Sequence, residues 1–205
     1  MRRRIRHHVN PLSVHHLDTG ATRVIVLAAL PLEVELGCAE GEFLFARCLI
    51  EPARCYVGVE IRAELVDRVN TQAAQQGVGQ VQSVYANLLT DLEVLFAPGS
   101  VDLCHINFPD PCFKRSQHKR RFLTPELTSA LLRILRPGGR LAFQSDVFEL
   151  ALEAMELLEL AAPALVNELS PWSFARDNPF GAQTRRERRC LEREQRIWRL
   201  RYRTS

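Results

Sequence analysis

Two periods of apolar residues alternate along the chain. Short apolar stretches predict strands, and apolar residues that recur every three or four positions between them predict helices. The predicted strands are residues 33–37, 55–60, 81–85, 101–107 and 140–144. The predicted helices are residues 42–50, 62–76, 88–96 and 124–135, the last with Thr124 as N-cap and Pro125 in its first turn.

The alternation of strands and helices predicts an α/β fold. Units at this spacing indicate a doubly wound, mostly parallel sheet with helices on both faces. Ligands bind such a sheet beyond the carboxyl ends of its strands. Near the C-terminus, Trp198, Leu200 and Tyr202 alternate with arginines. This pattern predicts a terminal strand at or next to the sheet edge, with one face in the core and one in water.

Length and composition are typical of one soluble domain. The chain has 205 residues, of which 46% are hydrophobic and 25% charged, enough for one buried core. Its longest apolar run, residues 24–32, is too short for a membrane span and contains Pro31, so we expect a cytoplasmic protein. The six cysteines are scattered and are expected to be buried thiols. The histidines lack partners at metal-ligand spacing, so no metal site is expected.

Positive charge is concentrated in three segments, residues 1–10, 112–121 and 170–205. They hold 19 of the 27 basic and 4 of the 24 acidic residues, a net charge of +15, whereas the rest of the chain carries −12. A solvated surface face is the ordinary explanation of a single charged run. Three runs around one predicted site favour a polyanion such as RNA, because Lys and Arg displace the counterions of phosphates.

The turn between the first predicted strand and helix has the composition of a nucleoside-binding loop. Residues 35–41 read Glu-Leu-Gly-Cys-Ala-Glu-Gly, and Gly37 and Gly41 permit a tight turn and close approach of a ligand to the backbone. An ordinary strand-to-helix turn explains the glycines alone equally well. Glu60 ends the second strand, where its carboxylate can accept hydrogen bonds from two ribose hydroxyls. The pair therefore favours a nucleoside cofactor.

Glu35 distinguishes between two such cofactors. S-adenosylmethionine carries an ammonium and a sulfonium, which a carboxylate attracts, whereas a carboxylate repels the pyrophosphate of NAD. The residue type at this position therefore favours S-adenosylmethionine. Asn87 follows the third strand and could bind the adenine edge, or could serve only as a turn residue.

The loop after the fourth strand carries the candidate catalytic group. Residues 107–111 read Asn-Phe-Pro-Asp-Pro. The two prolines stiffen the backbone and hold the Asp110 carboxylate over the carboxyl edge of the sheet, where a methyl acceptor would lie. The chain's two lysines, Lys114 and Lys119, follow among arginines suited to phosphates.

These motifs resemble those of the bacterial tRNA (guanine-N7)-methyltransferases over nearly the whole chain. The matching residues are 6–12 (RHHVNPL), 35–37 (ELG), 59–60 (VE), 108–111 (FPDP), 119–121 (KRR), 145–146 (SD) and 184–187 (TRRE). The resemblance implies a Rossmann-like methyltransferase sheet with an antiparallel C-terminal strand in residues 32–205, and a basic N-terminal arm, residues 1–31, packed on or near it. It also implies methyl transfer from S-adenosylmethionine to N7 of the variable-loop guanine at tRNA position 46, by a monomer or homodimer.

The resemblance also implies roles for individual residues. The residues implied to contact the donor are Glu35, Gly37, Gly41, Glu60, Asn87 and Asp110, and Asp110 is the implied catalytic residue. The residues implied to contact the substrate are Lys114, Asp146, Thr184, Arg185, Arg186 and Glu187. The residues implied to contact RNA are Ser116, Gln117, His118, Lys119, Arg120 and Arg121. The chain departs from the family at Cys112, where the family has Trp, and at Arg186, where it has an aromatic residue.

Alternatives remain open from the residues themselves. Amino-group methyltransferases carry a proline-rich Asn-Pro-Pro-Tyr loop at the same place, although here Asp110 separates the prolines and no aromatic residue follows directly. A NAD-dependent dehydrogenase would share the loop and the acid at the second strand. An RNA-binding module with a decayed cofactor site would keep the basic segments. Asp146 could also simply cap the following helix.

Overall fold

A computed structural model describes residues 9–13, 19–24, 30–111, 122–161 and 163–205, and the fold is that of these residues. The strands are β1 (Leu32–Leu36), β2 (Cys55–Glu60), β3 (Val81–Tyr85), β4 (Val101–Asn107), β5 (Leu135–Ser145), β6 (Leu165–Asn167) and β7 (Trp198–Thr204). The helices are α1 (Glu42–Ile50), α2 (Ala63–Gln76), α3 (Leu92–Leu95), α4 (Pro125–Ile134), α5 (Phe148–Glu159) and α6 (Arg185–Glu192). None of these helices is long and apolar enough to cross a membrane.

The strands form one sheet in the order β3-β2-β1-β4-β5-β7-β6. Strands β1 to β5 pair in parallel, whereas β7 runs antiparallel to both β5 and β6. The predicted doubly wound sheet with an antiparallel C-terminal strand is therefore confirmed. The chain turns from one half of the sheet to the other between β1 and β4, and ligands of such sheets bind at this switch point.

Apolar residues cover the two faces of the sheet unequally. On one face, alternate residues of β1, β2 and β4 pack with α3, α4 and α5 in the larger core, which includes Val34, Val57 and Ile106. On the other face, α1 and α2 pack over β2 and β3 in a smaller core around Tyr56 and Val69. Toward β4, β5 and β7 this second face carries polar side chains, which form the site described below.

A buried ion pair joins the polar face to α1 and to the segment before α6. Glu33 of β1 accepts hydrogen bonds from Arg47 Nε (2.7 Å) and is 2.8 Å from His105 Nε2, and the three residues are at most 2% exposed. Burial alone would raise the pKa of Glu33, but the hydrogen bonds from His105 and Arg47 outweigh it and lower the pKa to about 2. Arg47 Nη1 also donates to the carbonyl of Phe180, which anchors residues 177–180 over the sheet.

Most predicted elements are confirmed within two residues, and the exceptions have local causes. Thr124 caps α4 by accepting from the backbone of Leu127, as predicted. The helix predicted at residues 88–96 is wrong before Leu92, because the Asn87 side chain accepts from Leu89 N and holds a turn there. The fifth strand begins earlier than predicted, at Leu135.

The predicted C-terminal strand is confirmed as β7, next to the edge strand β6. Leu200 and Tyr202 are buried in the core as predicted. The prediction that the arginine face lies in water is wrong for Arg199 and Arg201, whose side chains are 12% and 16% exposed. Residues 175–177 cover them, since Ala175 pairs with β7 and Arg199 donates to a backbone carbonyl of this segment.

The close packing of β2 beneath the glycine-rich loop generates a stability prediction. A Cβ added to Gly58 would lie 2.3 Å from Cys38 Sγ and 2.7 Å from Leu44 Cδ1. We expect Gly58→Ala to lower the free energy of unfolding by about 1–3 kcal/mol, the usual cost of overpacking, in urea denaturation. Gly79→Ala is the control, because no atom lies within 4 Å of its added Cβ. Equal stabilities of the two variants would contradict this packing.

Candidate functional site

The loop between β1 and α1 adopts the conformation expected of a ligand-binding turn. Gly37, Ala39 and Gly41 have φ angles of 80°, 50° and 70°, the left-handed region that favours glycine. A side chain at Gly41 would also lie 2.9 Å from Val69 Cγ2 of α2, so glycine is required there. Gly37 is exposed at the end of β1, which leaves its backbone accessible to a ligand.

Glu35 is a buried carboxyl group with one oxygen paired. It is 3% exposed, and its Oε1 accepts from Asn107 Nδ2 at 2.8 Å. Its Oε2 has no hydrogen-bond partner in the part of the chain that the structure describes. Burial raises the pKa of Glu35 to about 8, aided by the nearby carboxylates of Glu33 and Glu60 and opposed by the Asn107 hydrogen bond. Glu35 lies on β1 at the switch point of the sheet. A cation next to its Oε2 would favour the ionised form of the carboxyl group.

Glu60 ends β2 next to the same loop, and its oxygens are occupied. Oε2 accepts from Ala39 N (3.0 Å) and Arg62 Nη2 (2.7 Å), while Oε1 accepts from the backbone and Nε of Arg62. A carboxylate offers about four acceptor positions. Ribose hydroxyls could therefore reach these oxygens only by taking the place of the Arg62 guanidinium.

Asn87 lies behind β3 and is engaged by the N-terminal segment. It is 1% exposed, and its Nδ2 donates to the Pro11 carbonyl at 2.9 Å. Thr19 Oγ1 likewise donates to Asp91 Oδ2 at 2.5 Å, and Val24 N donates to a carbonyl of α3. The described parts of the N-terminal segment thus lie along the β3–α3 connection, and contact between Asn87 and adenine stays a prediction.

Asp110 is exposed on the loop that follows β4. The loop leaves the sheet through Phe108, whose φ of 48° lies in the left-handed region and whose N–H donates to the Gln144 carbonyl at 2.8 Å. In the sequence, Asp110 comes three residues after Asn107, which is the hydrogen-bond partner of Glu35. The predicted contacts at Lys114 and at residues 116–121 lie outside the described residues.

Asp146 follows β5 and pairs with the C-terminal helix. Its Oδ2 accepts from Arg186 Nη2 of α6, and this hydrogen bond raises the pKa of Arg186. Asp146 makes no capping hydrogen bond to α5, whose Val147 N donates to Ser145 Oγ instead. The interpretation of Asp146 as a helix cap is therefore wrong.

The Thr184-x-x-Glu187 motif begins α6. Thr184 Oγ1 accepts from Glu187 N at 3.0 Å, which makes Thr184 the N-cap. Glu187 is fully buried and accepts from Gln144 Nε2 (3.1 Å), Asn178 Nδ2 (2.9 Å) and Arg199 Nη2 (2.8 Å). Direct contact between Glu187 and a substrate stays a prediction, because the folded chain already satisfies this carboxylate.

Two exposed arginines of α6 reach back to the glycine-rich loop. Arg185 Nη2 is 3.0 Å from Glu40 Oε2 and also pairs with Glu42, and Arg188 Nη2 is 3.0 Å from Glu42 Oε2. The hydrogen bonds to Arg188 and Arg185 lower the pKa of Glu42 against the effect of burial. Helix α6 is thereby held against the start of α1.

The structure brings Glu35, Gly37, Gly41 and Glu60 around one loop and places Asp146 and residues 184–187 next to each other. Sequence reasoning missed the side chains that join these groups, Asn107, Gln144, Asn178 and Arg199. A signal for Asn107 exists, because the polar residues His105 and Asn107 stand two positions apart at the end of a strand that is largely apolar. No group of His, Cys, Asp or Glu side chains within the described ranges could hold a metal ion.

Comparisons with known proteins agree on one family. The family model described as "Putative methyltransferase" matches residues 29–200. The tRNA (guanine-N(7)-)-methyltransferase of Synechococcus sp. (strain JA-3-3Ab) is 37% identical over 193 residues, which cover 92% of this chain and 80% of the relative. The enzyme of the same name from Thermosynechococcus vestitus is 33% identical over 203 residues, which cover 97% and 94% of the two chains.

Solved structures share the fold at low sequence identity. The 16S rRNA methyltransferase KamB superposes with a TM-score of 0.61 at 16% identity, covering 85% of this chain and 88% of that chain. A SAM-dependent methyltransferase from Aquifex aeolicus superposes with a TM-score of 0.58 at 11% identity, covering 85% and 82%. The fold is thus the Rossmann-like methyltransferase fold. Because the family model and the relatives match nearly the full chain, the chain belongs to the tRNA (guanine-N7)-methyltransferase family.

Proposed function

We propose that this chain transfers the methyl group of S-adenosylmethionine, the donor, to N7 of a guanine in tRNA, and that the target is the variable-loop guanine at position 46. The observation that carries the proposal is the buried Glu35 carboxyl group, whose Oε2 lacks a partner among the described residues at the switch point of a methyltransferase sheet. The names of the relatives supply the substrate class. Because tRNA is a cytoplasmic molecule, the cytoplasm is the proposed compartment.

The residues around the loop fit the donor. When bound, the donor supplies an electrophilic methyl group on a sulfonium and a second positive charge on its ammonium. Glu35 balances this positive charge, since an ionised carboxylate is stabilised by a cation that also satisfies Oε2. The left-handed turn at Gly37 and Gly41 lets a ligand approach the backbone. Glu60 accepts from the ribose once the Arg62 guanidinium moves aside, and Asn87 is the proposed contact of the adenine edge once its hydrogen bond to Pro11 is released.

Guanine N7 carries a lone pair and no proton, so methyl transfer needs alignment and electrostatics rather than a strong base. Asp110 is the proposed catalytic residue, because its carboxylate can accept from the guanine edge and stabilise the positive charge left on the purine. Asp146, residues 184–187 and Lys114 are the proposed substrate contacts. If the guanine is stacked in folded tRNA, turning it out costs a few kcal/mol.

Three basic segments are the proposed tRNA surface. The N-terminal arm, residues 1–31, lies along α3 where it is described, and α6 exposes arginines on the same side as the glycine-rich loop. Residues 116–121 follow Asp110 in the chain and are the proposed contacts to the RNA backbone. The concentration of basic residues in these segments of the sequence supports the proposal of a polyanionic substrate.

Nucleoside analysis tests the proposed function directly. Unmodified tRNA is incubated with the enzyme and S-adenosylmethionine, hydrolysed and separated by mass spectrometry. The proposal predicts 7-methylguanosine, and a tRNA in which the variable-loop guanine is replaced by adenine should not gain it. A methylated adenine amino group would instead indicate an amino-group methyltransferase, and a cofactor effect of NAD alone would indicate a dehydrogenase.

The raised pKa of Glu35 makes donor affinity depend on pH. With a pKa of about 8, the empty site is mostly neutral below pH 8, and a cationic donor favours the ionised form. We expect the Kd of S-adenosylmethionine to fall as pH rises from 6 to 8, by up to about tenfold per pH unit, in isothermal titration calorimetry. Glu35→Gln should bind weakly and without this dependence. Donor binding by the wild type that does not change across this range would refute the role of Glu35 as counter-ion.

Loss of the Asp110 carboxylate should slow methyl transfer without weakening tRNA binding. The flanking Pro109 and Pro111 fix the backbone, so Asp110→Asn should keep the shape of the loop and lose the negative charge. We expect the single-turnover rate of 7-methylguanosine formation to fall about 100- to 1000-fold, with little change in tRNA affinity. Asp67→Asn, on an exposed position of α2, is the matched control. A wild-type rate in Asp110→Asn would show that the carboxylate has no catalytic role.

The basic segment after Asp110 should set the salt dependence of tRNA binding. Replacing Lys119, Arg120 and Arg121 by Ala should reduce the slope of log K against log salt concentration by about 0.7–0.9 for each phosphate that these side chains neutralise, and leave donor affinity unchanged. Alanine at three basic positions outside the basic segments and the N-terminal arm, Arg68, Arg133 and Arg136, is the control. An equal slope in both triple variants would place the RNA elsewhere.

A further inference from the structure

A chain of side-chain amides connects the donor-side carboxyl group to the C-terminal helix. Asn107 Nδ2 donates to Glu35 Oε1 (2.8 Å), and Gln144 Nε2 donates to Asn107 Oδ1 (2.9 Å). The same Gln144 Nε2 donates to Glu187 Oε2 of α6 (3.1 Å). Asn107 and Gln144 occupy paired positions at the ends of β4 and β5, so the sheet register itself brings the two amides together.

The charges at the ends of this chain fix the orientation of both amides. Arg199 Nε donates to Gln144 Oε1 at 3.2 Å, and a guanidinium can only donate. Carboxylates that are ionised only accept, so Glu187 requires the amino group of Gln144. A flipped Gln144 amide would place its oxygen against Asn107 Oδ1 and Glu187 and its amino group against Arg199. The amide of Asn107 is therefore held with its amino group toward Glu35.

Burial makes the loss of any of these hydrogen bonds costly in free energy. Gln144 is 6% exposed and Glu187 is fully buried, so water cannot replace a missing partner without opening the fold. Glu187 belongs to the first turn of α6, next to Arg185, which pairs with Glu40 on the donor loop. Helix α6 is thus linked to the donor site twice, through the buried amides and across the surface.

We propose that Gln144 is a positioning residue for methyl transfer, which orients the Glu35 carboxyl group through Asn107 and fixes α6 through Glu187. The inference rests on the proposed function, in which Glu35 binds the donor and residues 184–187 contact the substrate. Because one amide serves both ends, binding of donor and binding of tRNA are coupled. Such coupling is reciprocal, so each ligand raises the affinity for the other by the same factor.

The hydrogen bond from Asn107 influences the pKa of Glu35, so its loss can be detected in the pH dependence of donor binding. The titratable groups that face Glu35 from the described elements are Glu33 on its own strand, Glu60 at the end of β2 and Cys38 in the loop. None of them contacts Gln144 in a hydrogen bond between described residues. Removal of the Gln144 amide loosens Asn107, whose hydrogen bond to Glu35 lowers the pKa of that group, so the pKa should rise further.

The experiment compares donor binding by wild type and Gln144→Leu in the absence of RNA. We expect the Kd of S-adenosylmethionine at pH 7 to rise about tenfold and the midpoint of its pH dependence to move upward. Gln144→Met is the second variant, since its unbranched side chain fits the same space if the leucine disturbs folding. Asn167→Leu is the matched control, because Asn167 is a buried amide of β6, at the far edge of the sheet, that donates to Glu159 and to the Ser173 carbonyl and accepts from Leu169 N.

A second readout measures the coupling itself. The tRNA affinity is determined with and without S-adenosylhomocysteine, and the ratio should be about fivefold or more in the wild type and near one in Gln144→Leu. General destabilisation moves neither the pH midpoint nor this ratio, so Asn167→Leu should keep both. Wild-type donor affinity, pH midpoint and coupling in a folded Gln144 variant would overturn the proposal, as would a wild-type enzyme without coupling.

These outcomes are distinct from failure of the proposed function. If the wild type binds the donor but forms no 7-methylguanosine, the proposed reaction is wrong, while the comparison of donor affinities between the Gln144 variants still decides the positioning role. If donor binding and product formation are normal and Gln144→Leu behaves as the wild type, only the positioning role is wrong.

Discussion

The carboxyl group of Glu35 is the constraint on which the site depends. Leaving one oxygen of a buried carboxyl group unpaired costs about 1–3 kcal/mol, and the neighbouring acids Glu33 and Glu60 add repulsion. Glu33 is neutralised by Arg47 and also contacts His105, and Glu60 is neutralised by Arg62, so Glu35 alone of the three lacks an arginine partner among the described residues. A positively charged ligand resolves this imbalance, which links the fold to the use of a sulfonium donor.

Helix α6 extends this constraint to the residues that are proposed to contact the substrate. The Thr184-x-x-Glu187 motif does two things at once, since Thr184 caps the helix and Glu187 enters the sheet layer to meet Gln144, Asn178 and Arg199. The arginine that replaces the family's aromatic residue, Arg186, pairs with Asp146. The motif therefore joins the C-terminal segment to the ends of the central strands, where acceptor and donor are proposed to meet.

Local patterns were sufficient to predict most of the fold and the loop of the candidate site. Strand periodicity located β2, β3 and β4, and the acid before Gly37 indicated a cationic cofactor, because these properties depend on neighbouring residues. The partners of the predicted residues depend on pairing across the sheet and could not be predicted. Only the register of β4 with β5 brings Asn107 to Gln144, and only the turn after β3 reveals that Asn87 binds the N-terminal segment.

Ionisation of Glu35 on donor binding is the event from which the proposed chemistry follows. Calorimetric titration of S-adenosylmethionine at pH 7, in buffers of different ionisation enthalpy, counts the protons released on binding. Because the pKa of Glu35 is about 8 in the empty site, wild-type protein should release close to one proton per donor, and Glu35→Gln should release none. Equal proton release by the two proteins would contradict the role of Glu35 as the counter-ion of the donor.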